Sequence, residues 1–84
     1  MSTELATSPK VVGAKQVRRA LNGGTATRIN IAQDADPALL QPLEQLAQEK
    51  GVPVEQVPTM KQLGTDCGIA VGAAVAALIS VLTE

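Results

Sequence analysis

Lys15, Arg18, Arg19 and Asn22 stand at i, i+3, i+4 and i+7 of one short segment. In a helix that spacing puts all four on one face, with Gln16 at its border. The face carries ammonium, guanidinium and amide donors, and no acid lies between Lys10 and Arg28 to neutralise them. Donors of this kind suit anions. Lysine and arginine also address O6 and N7 of guanine, and an amide addresses the edge of adenine. The free N–H groups at the helix start suit phosphate or an electronegative base edge. An ordinary solvated basic helix has the same pattern, so the face alone does not decide the matter.

A second candidate lies at Cys67-Gly68-Ile69-Ala70-Val71-Gly72, where two glycines bracket an apolar tip. Glycine admits positive φ and a close approach of a ligand to the backbone. An exposed apolar tip can cover an unstacked base or a sugar face. Read alone, the segment favours a buried turn leading into a core strand, because Ile and Val are most often buried.

Other chemistries find little material. The chain has no histidine and one cysteine. Histidine-based acid–base catalysis is therefore excluded, and Cys67 has no imidazole to activate it. Cys67 reads as a small apolar residue. Zinc needs clusters of Cys or His. Asp34 and Asp36 supply too few oxygens for a hard cation and read as helix caps. Gly23-Gly24 lacks the rest of a phosphate-loop pattern. No cofactor is expected and no enzyme activity. Aromatic residues are absent altogether. That argues against modules that stack bases on Phe, Tyr or Trp, and toward a binder that reads a preformed RNA shape.

Net charge is −1, yet the charge is divided. Five bases and no acid lie between Lys10 and Arg28; five acids and one base lie between Ile29 and Pro58. Such a division gives the domain a directed field and points to an anionic partner on one side. A single cysteine forms no disulfide within the chain, which suits a reducing cytosol, and a cytoplasmic location is expected. Residues 1–8 carry no apolar signal core, and the apolar run Cys67–Leu82 is too short and glycine-broken for a membrane span.

These side chains need elements to hold them. With 84 residues the chain makes one domain: a flexible arm at residues 1–9 and a folded unit at 10–84. Lys10-Val11-Val12 reads as a short extended piece, and Ala14–Asn22 as a helix ended by Gly23-Gly24. Arg28–Ala32 alternates and reads as a strand. Asp36 is placed to cap a helix with Pro37 at its first position, but Pro42 predicts a break, with the main helix starting there. Leu43, Leu46 and Ala47 form its inner stripe, and Gly51 stops it. Val52–Val57 reads as a strand with Pro53 at its start. Thr59 to Gln62 fits a capping box for a short helix that Gly68 closes. Ala73–Leu82, free of charge, reads as a strand buried on both faces. The alternation of helix and strand predicts an α/β domain with helices on both faces of the sheet.

Four segments together carry a resemblance: Gly13-Ala14-Lys15-Gln16-Val17-Arg18-Arg19-Ala20-Leu21, Ile31-Ala32-Gln33-Asp34-Ala35-Asp36-Pro37, Val57-Pro58-Thr59-Met60-Lys61-Gln62-Leu63-Gly64 and Cys67-Gly68-Ile69-Ala70-Val71-Gly72-Ala73-Ala74. In this order and spacing the chain resembles the kink-turn-binding ribosomal protein family of the L-seven-Ae type, and among its members the small bacterial paralogues. The resemblance implies a three-layer α/β/α sandwich around a mixed sheet of about four strands. It implies a ribonucleoprotein role, ribosomal or ribosome-associated, in which the chain, as a monomer, stabilises a sharply bent RNA internal loop beside tandem sheared G·A pairs. Lys15, Gln16 and Arg19 would face those pairs, and Gly13 would admit the RNA close to the backbone. Ile69, Ala70 and Val71 would cover the protruding nucleotides; Lys10 and Lys61 would meet phosphates. Archaeal members carry Asn-Glu where this chain has Lys15-Gln16, which implies an altered base preference. They also carry an acid where Ala70 stands, and a methyl group offers no hydrogen bond to a base. The competing expectation is a protein–protein adaptor that keeps the fold and leaves the RNA surface idle.

Overall fold

The structure, a computed structural model, describes residues 8–80. Residues 1–7 of the expected arm and 81–82 of the expected last strand lie outside that range. In chain order the elements are β1 (Lys10–Val12), α1 (Ala14–Asn22), β2 (Ala26–Ala32), α2 (Pro37–Glu49), β3 (Val54–Val57), α3 (Met60–Cys67) and β4 (Val75–Ile79). The four strands form one mixed sheet in the order β1-β4-β2-β3. β4 runs antiparallel to both neighbours, and β2 and β3 run parallel, joined by α2. This is the expected α/β/α sandwich: α1 and α2 pack together over one face, and α3 packs over the other.

Central position explains the uncharged last run. β4 lies between β1 and β2, so both its faces are covered and Val75, Ala76 and Ala77 are fully buried. The strand starts at Val75, two residues later than predicted, because Ala73 and Ala74 are engaged by Met60 and Ala32 outside the strand. The core is aliphatic throughout, with Val17, Leu21, Ile29, Leu63 and Val75 at its centre. β2 carries one buried polar side chain, Asn30, whose Nδ2 donates to Oε1 of Glu55 on β3 at 2.8 Å. That bond answers part of the desolvation cost.

α2 corrects the expected break at Pro42, since one helix runs from Pro37 to Glu49. Pro42 is exposed, and so is Ala38, whose carbonyl would have accepted the missing N–H. Water can serve that carbonyl. Leu40 and Leu43, on either side of the proline, are both buried in the core and hold the helix as one piece. Asp36 does cap it, accepting from the Ala38 amide at 2.9 Å, with Pro37 at the first position.

The capping box before α3 is half formed. Thr59 accepts from the Gln62 amide at 3.0 Å, but the Gln62 side chain turns forward to Asp66 instead of back to Thr59. A second cap comes from outside the box: Asp34 accepts from the amide of Met60, the first residue of the helix, at 2.8 Å. Asp34 and Asp36 thus each cap a different helix, as their reading as caps requires.

Candidate nucleic-acid interface

β1 ends where β4 begins, because the two strands run antiparallel with Val12 opposite Ala76. The next residue, Gly13, donates its N–H to the carbonyl of Val75 at 2.9 Å. From β2, Ala32 donates to the carbonyl of Ala74 at 2.9 Å. The start of α1 and the loop that feeds β4 therefore emerge side by side at one end of the sheet. The two segments that the sequence singled out are brought together here.

Gly13 holds φ +103 and ψ 151 at the N-cap of α1, a region closed to residues with a Cβ. Among the described residues, no side chain caps this helix. Its first-turn N–H groups therefore lack the answer that Asp36 gives α2 and Thr59 gives α3, and they face outward for a solvent or ligand acceptor. Val17, Ala20 and Leu21 turn into the core, while Lys15, Gln16, Arg18, Arg19 and Asn22 are exposed. Among the described residues, none of the side chains of Lys15, Gln16, Arg18 and Arg19 meets a hydrogen-bond or ion-pair partner. The face divides between two hollows. Gln16 and Arg19 border one with Val11, Thr25 and Ile79; Lys15 and Arg18 border the other, against α2.

The loop between α3 and β4 is an exposed apolar tip. Val71 is 69% exposed and Ile69 36%, and Gly68, Ala70 and Gly72 are exposed with them. This corrects the buried turn that the segment alone favoured. The reason is visible in α3. Gly64 faces the loop so closely that a Cβ there would collide with the Val71 carbonyl oxygen, and a Cβ at Gly72 would lie 3.3 Å from the Met60 backbone. Ala73 donates to the Met60 carbonyl at 3.0 Å and Ile69 to the Gly64 carbonyl at 3.0 Å. The loop rests on α3 by its backbone, so its side chains point away. Sequence reasoning missed Gly64 as a support, and it read Asp34 as a cap without finding the helix that it caps. A glycine inside a helix, which costs stability, was the available signal for the first.

The remaining positions differ in access. Lys61 is exposed on the first turn of α3, one residue from Met60. Lys10 is half-buried on β1, opposite Leu78. Ala70 presents only a methyl group at the tip. Cys67 is buried beneath the loop; burial pushes its thiol pKa up, the charge of Lys10 lowers it, and Asp66 adds to the rise. A thiol held in its neutral form is a poor nucleophile. Among the described residues no group of acids, Cys or His is arranged to hold a metal ion. No helix there is long and apolar enough to cross a membrane.

Fold and site together define a small α/β/α domain that sets an unneutralised, donor-rich helix start beside an apolar loop. The chain belongs to the family described as the ribosomal protein L7Ae/L30e/S12e/Gadd45 family, whose pattern matches residues 3–82. It is 48% identical over 69 residues to an RNA-binding protein of Geobacillus sp. (strain WCH70), spanning 82% of this chain and 84% of that one. It is 45% identical over 69 residues to the RNA-binding protein YbxF of Geobacillus stearothermophilus, with the same coverage. The large ribosomal subunit protein eL8 of Haloquadratum walsbyi is 35% identical over 68 residues, 80% of this chain and 57% of that one. Among solved structures, the Giardia lamblia 15.5kD RNA binding protein superposes with a TM-score of 0.80 at 30% identity, covering 86% of this chain and 61% of that one.

Proposed function

We propose that this chain binds RNA and that its target is the kink-turn, in ribosomal or another structured non-coding RNA. The observation that carries this reading is the pairing across the Gly13–Val75 hydrogen bond of an unneutralised donor face with an exposed apolar tip. The names of its relatives support the RNA part. Lys15, Gln16 and Arg19 would meet the edges of the sheared G·A pairs, with Gly13 leaving the helix start open to the RNA backbone. Ile69, Ala70 and Val71 would cover the nucleotides that the kink expels. Lys61 and the half-buried Lys10 would answer phosphates.

The mechanism is selection of a shape. A free kink-turn exchanges between extended and kinked forms, and a protein that contacts only the kinked form draws the population toward it. No bond is made or broken, so no catalytic group is needed. The absence of aromatic residues fits this division of labour: polar contacts read the paired bases, and a fitted apolar loop shields the unpaired ones.

A titration with two duplexes tests the reading. One holds the kink-turn; in the other its G·A pairs are replaced by Watson–Crick pairs. Binding to the first alone supports the proposal, and equal binding to both overturns it. The adaptor reading, in which the RNA surface is idle, requires no shift of either duplex at any salt concentration.

A further inference from the structure

Arg18 and the groove it borders have no part in the reading above. The groove lies between α1 and α2, encloses about 340 Å³, and is lined by Ala14, Lys15, Arg18, Ala38, Leu39 and Pro42, with Leu43 at its base. Its rim is cationic and its floor apolar, and no carboxylate lines it. Of the acids nearest in sequence, Glu44 lines a different hollow with Gln41, Gln45 and Val54, and Asp36 has its carboxylate engaged by the Ala38 amide. Leu39 is 43% exposed. The other large hydrophobic side chains exposed among the described residues, Met60, Ile69 and Val71, belong to α3 and its loop. Leu39 stands apart from them.

Resting on the kink-turn reading, we propose that this groove takes a ribose–phosphate segment of the same RNA, in the stem beside the G·A pairs. Arg18 holds the phosphate, next to Lys15 at the G·A pairs, and Leu39 lies against the apolar face of the ribose. A phosphodiester brings an anion and a sugar with apolar C–H faces, which is the chemistry that this rim and floor complement. Continuity selects RNA over a protein partner: Lys15 belongs to the donor face and to the groove at once, one helical turn from Arg19. Contacts of this kind set register and affinity without reading sequence. Arg18 is thus assigned affinity, and Arg19 selectivity.

The test uses the full chain, Arg18→Gln and Leu39→Glu, each titrated with the kink-turn duplex and its Watson–Crick counterpart over a range of salt. Arg18→Gln should flatten the dependence of log affinity on log salt by about 0.7–0.9, which is about fivefold weaker binding near 0.1 M salt. The preference between the two duplexes should stay as it is. Leu39→Glu should weaken binding at least as much, and both variants should melt like the parent because both side chains are exposed. Trimming the stem until that segment is gone should erase the difference between Arg18→Gln and the parent. If the parent prefers the kink-turn while both variants match it in affinity and salt slope, the groove is not part of the RNA interface and the kink-turn reading stands. Loss of the duplex preference in Arg18→Gln would overturn the backbone assignment. A parent that prefers neither duplex removes both proposals.

Discussion

The amide of Gly13 donates to the carbonyl of Val75 over 2.9 Å, tying the first residue before α1 to the first residue of β4. Through that bond the donor face and the apolar loop share one fixed edge of the sheet. Gly13 reaches it with φ +103, where a built Cβ meets nothing within 4 Å. Replacing Gly13 by Ala should therefore act through backbone strain alone, lowering stability by about 1–3 kcal/mol. Chemical denaturation checks this, and an unchanged midpoint would contradict it.

Gly64 is the reverse case, where space rather than φ is the constraint. Gly64→Ala drives a methyl group into the Val71 carbonyl. The loop must lift from α3, at a cost of about 1–3 kcal/mol. RNA affinity should fall under conditions where the variant is fully folded, because Ile69, Ala70 and Val71 move together. Denaturation and titration on the same preparation separate the two effects. A variant as stable as the parent would show that the loop does not rest on this helix.

Val71 is exposed in the free protein, so Val71→Ser should change stability by no more than about 0.5 kcal/mol. Its affinity for a kink-turn should nonetheless drop, because a hydroxyl covers a base poorly. Unchanged affinity would remove Val71 from the interface.

Arg19 is exposed and, among the described residues, unpartnered, so its role should appear in binding alone. Arg19→Ala should cost about 1–3 kcal/mol of affinity, the size of a good contact to guanine. The melting temperature should stay put. A loss confined to stability would mean that Arg19 packs rather than reads.

Cys67 gives a pH signature. Burial raises its pKa above the ordinary 9.0, so the folded chain keeps its proton where the unfolded chain has lost it. The associated stability is whole below about 9 and declines as pH rises past it. Alkylation just below that pH should be slow in the folded chain and fast in denaturant. Equal rates would show that the thiol is not covered.

Much of this was legible in the residues. The Lys10–Val12 strand and the Ala14–Asn22 helix were placed to the residue, because Gly13 and Gly23-Gly24 punctuate them. Asp36-Pro37 announced α2, and the split of charge along the chain announced which helix face stays unneutralised. Pro42 misled because a proline rule counts a lost hydrogen bond, whereas Leu40 and Leu43 supply tertiary burial that no local pattern records. The loop misled in the same way. Ile and Val are usually buried, and only the contact of Gly64 with the Val71 backbone, seven residues away, shows why these two are not. Asp34 as a cap for α3 was hidden too, because it reaches Met60 across 26 positions.

The central claim is that the chain holds a kinked RNA, and bending is the quantity to measure. A kink-turn duplex labelled at its two ends with a fluorescent donor and acceptor, kept without divalent ions so that it is extended, should be titrated with the protein. Energy transfer should rise to a plateau, and the rise should vanish when the G·A pairs become Watson–Crick pairs. A protein that shifts the duplex in a gel without raising energy transfer, or that raises it equally with both duplexes, would contradict the account.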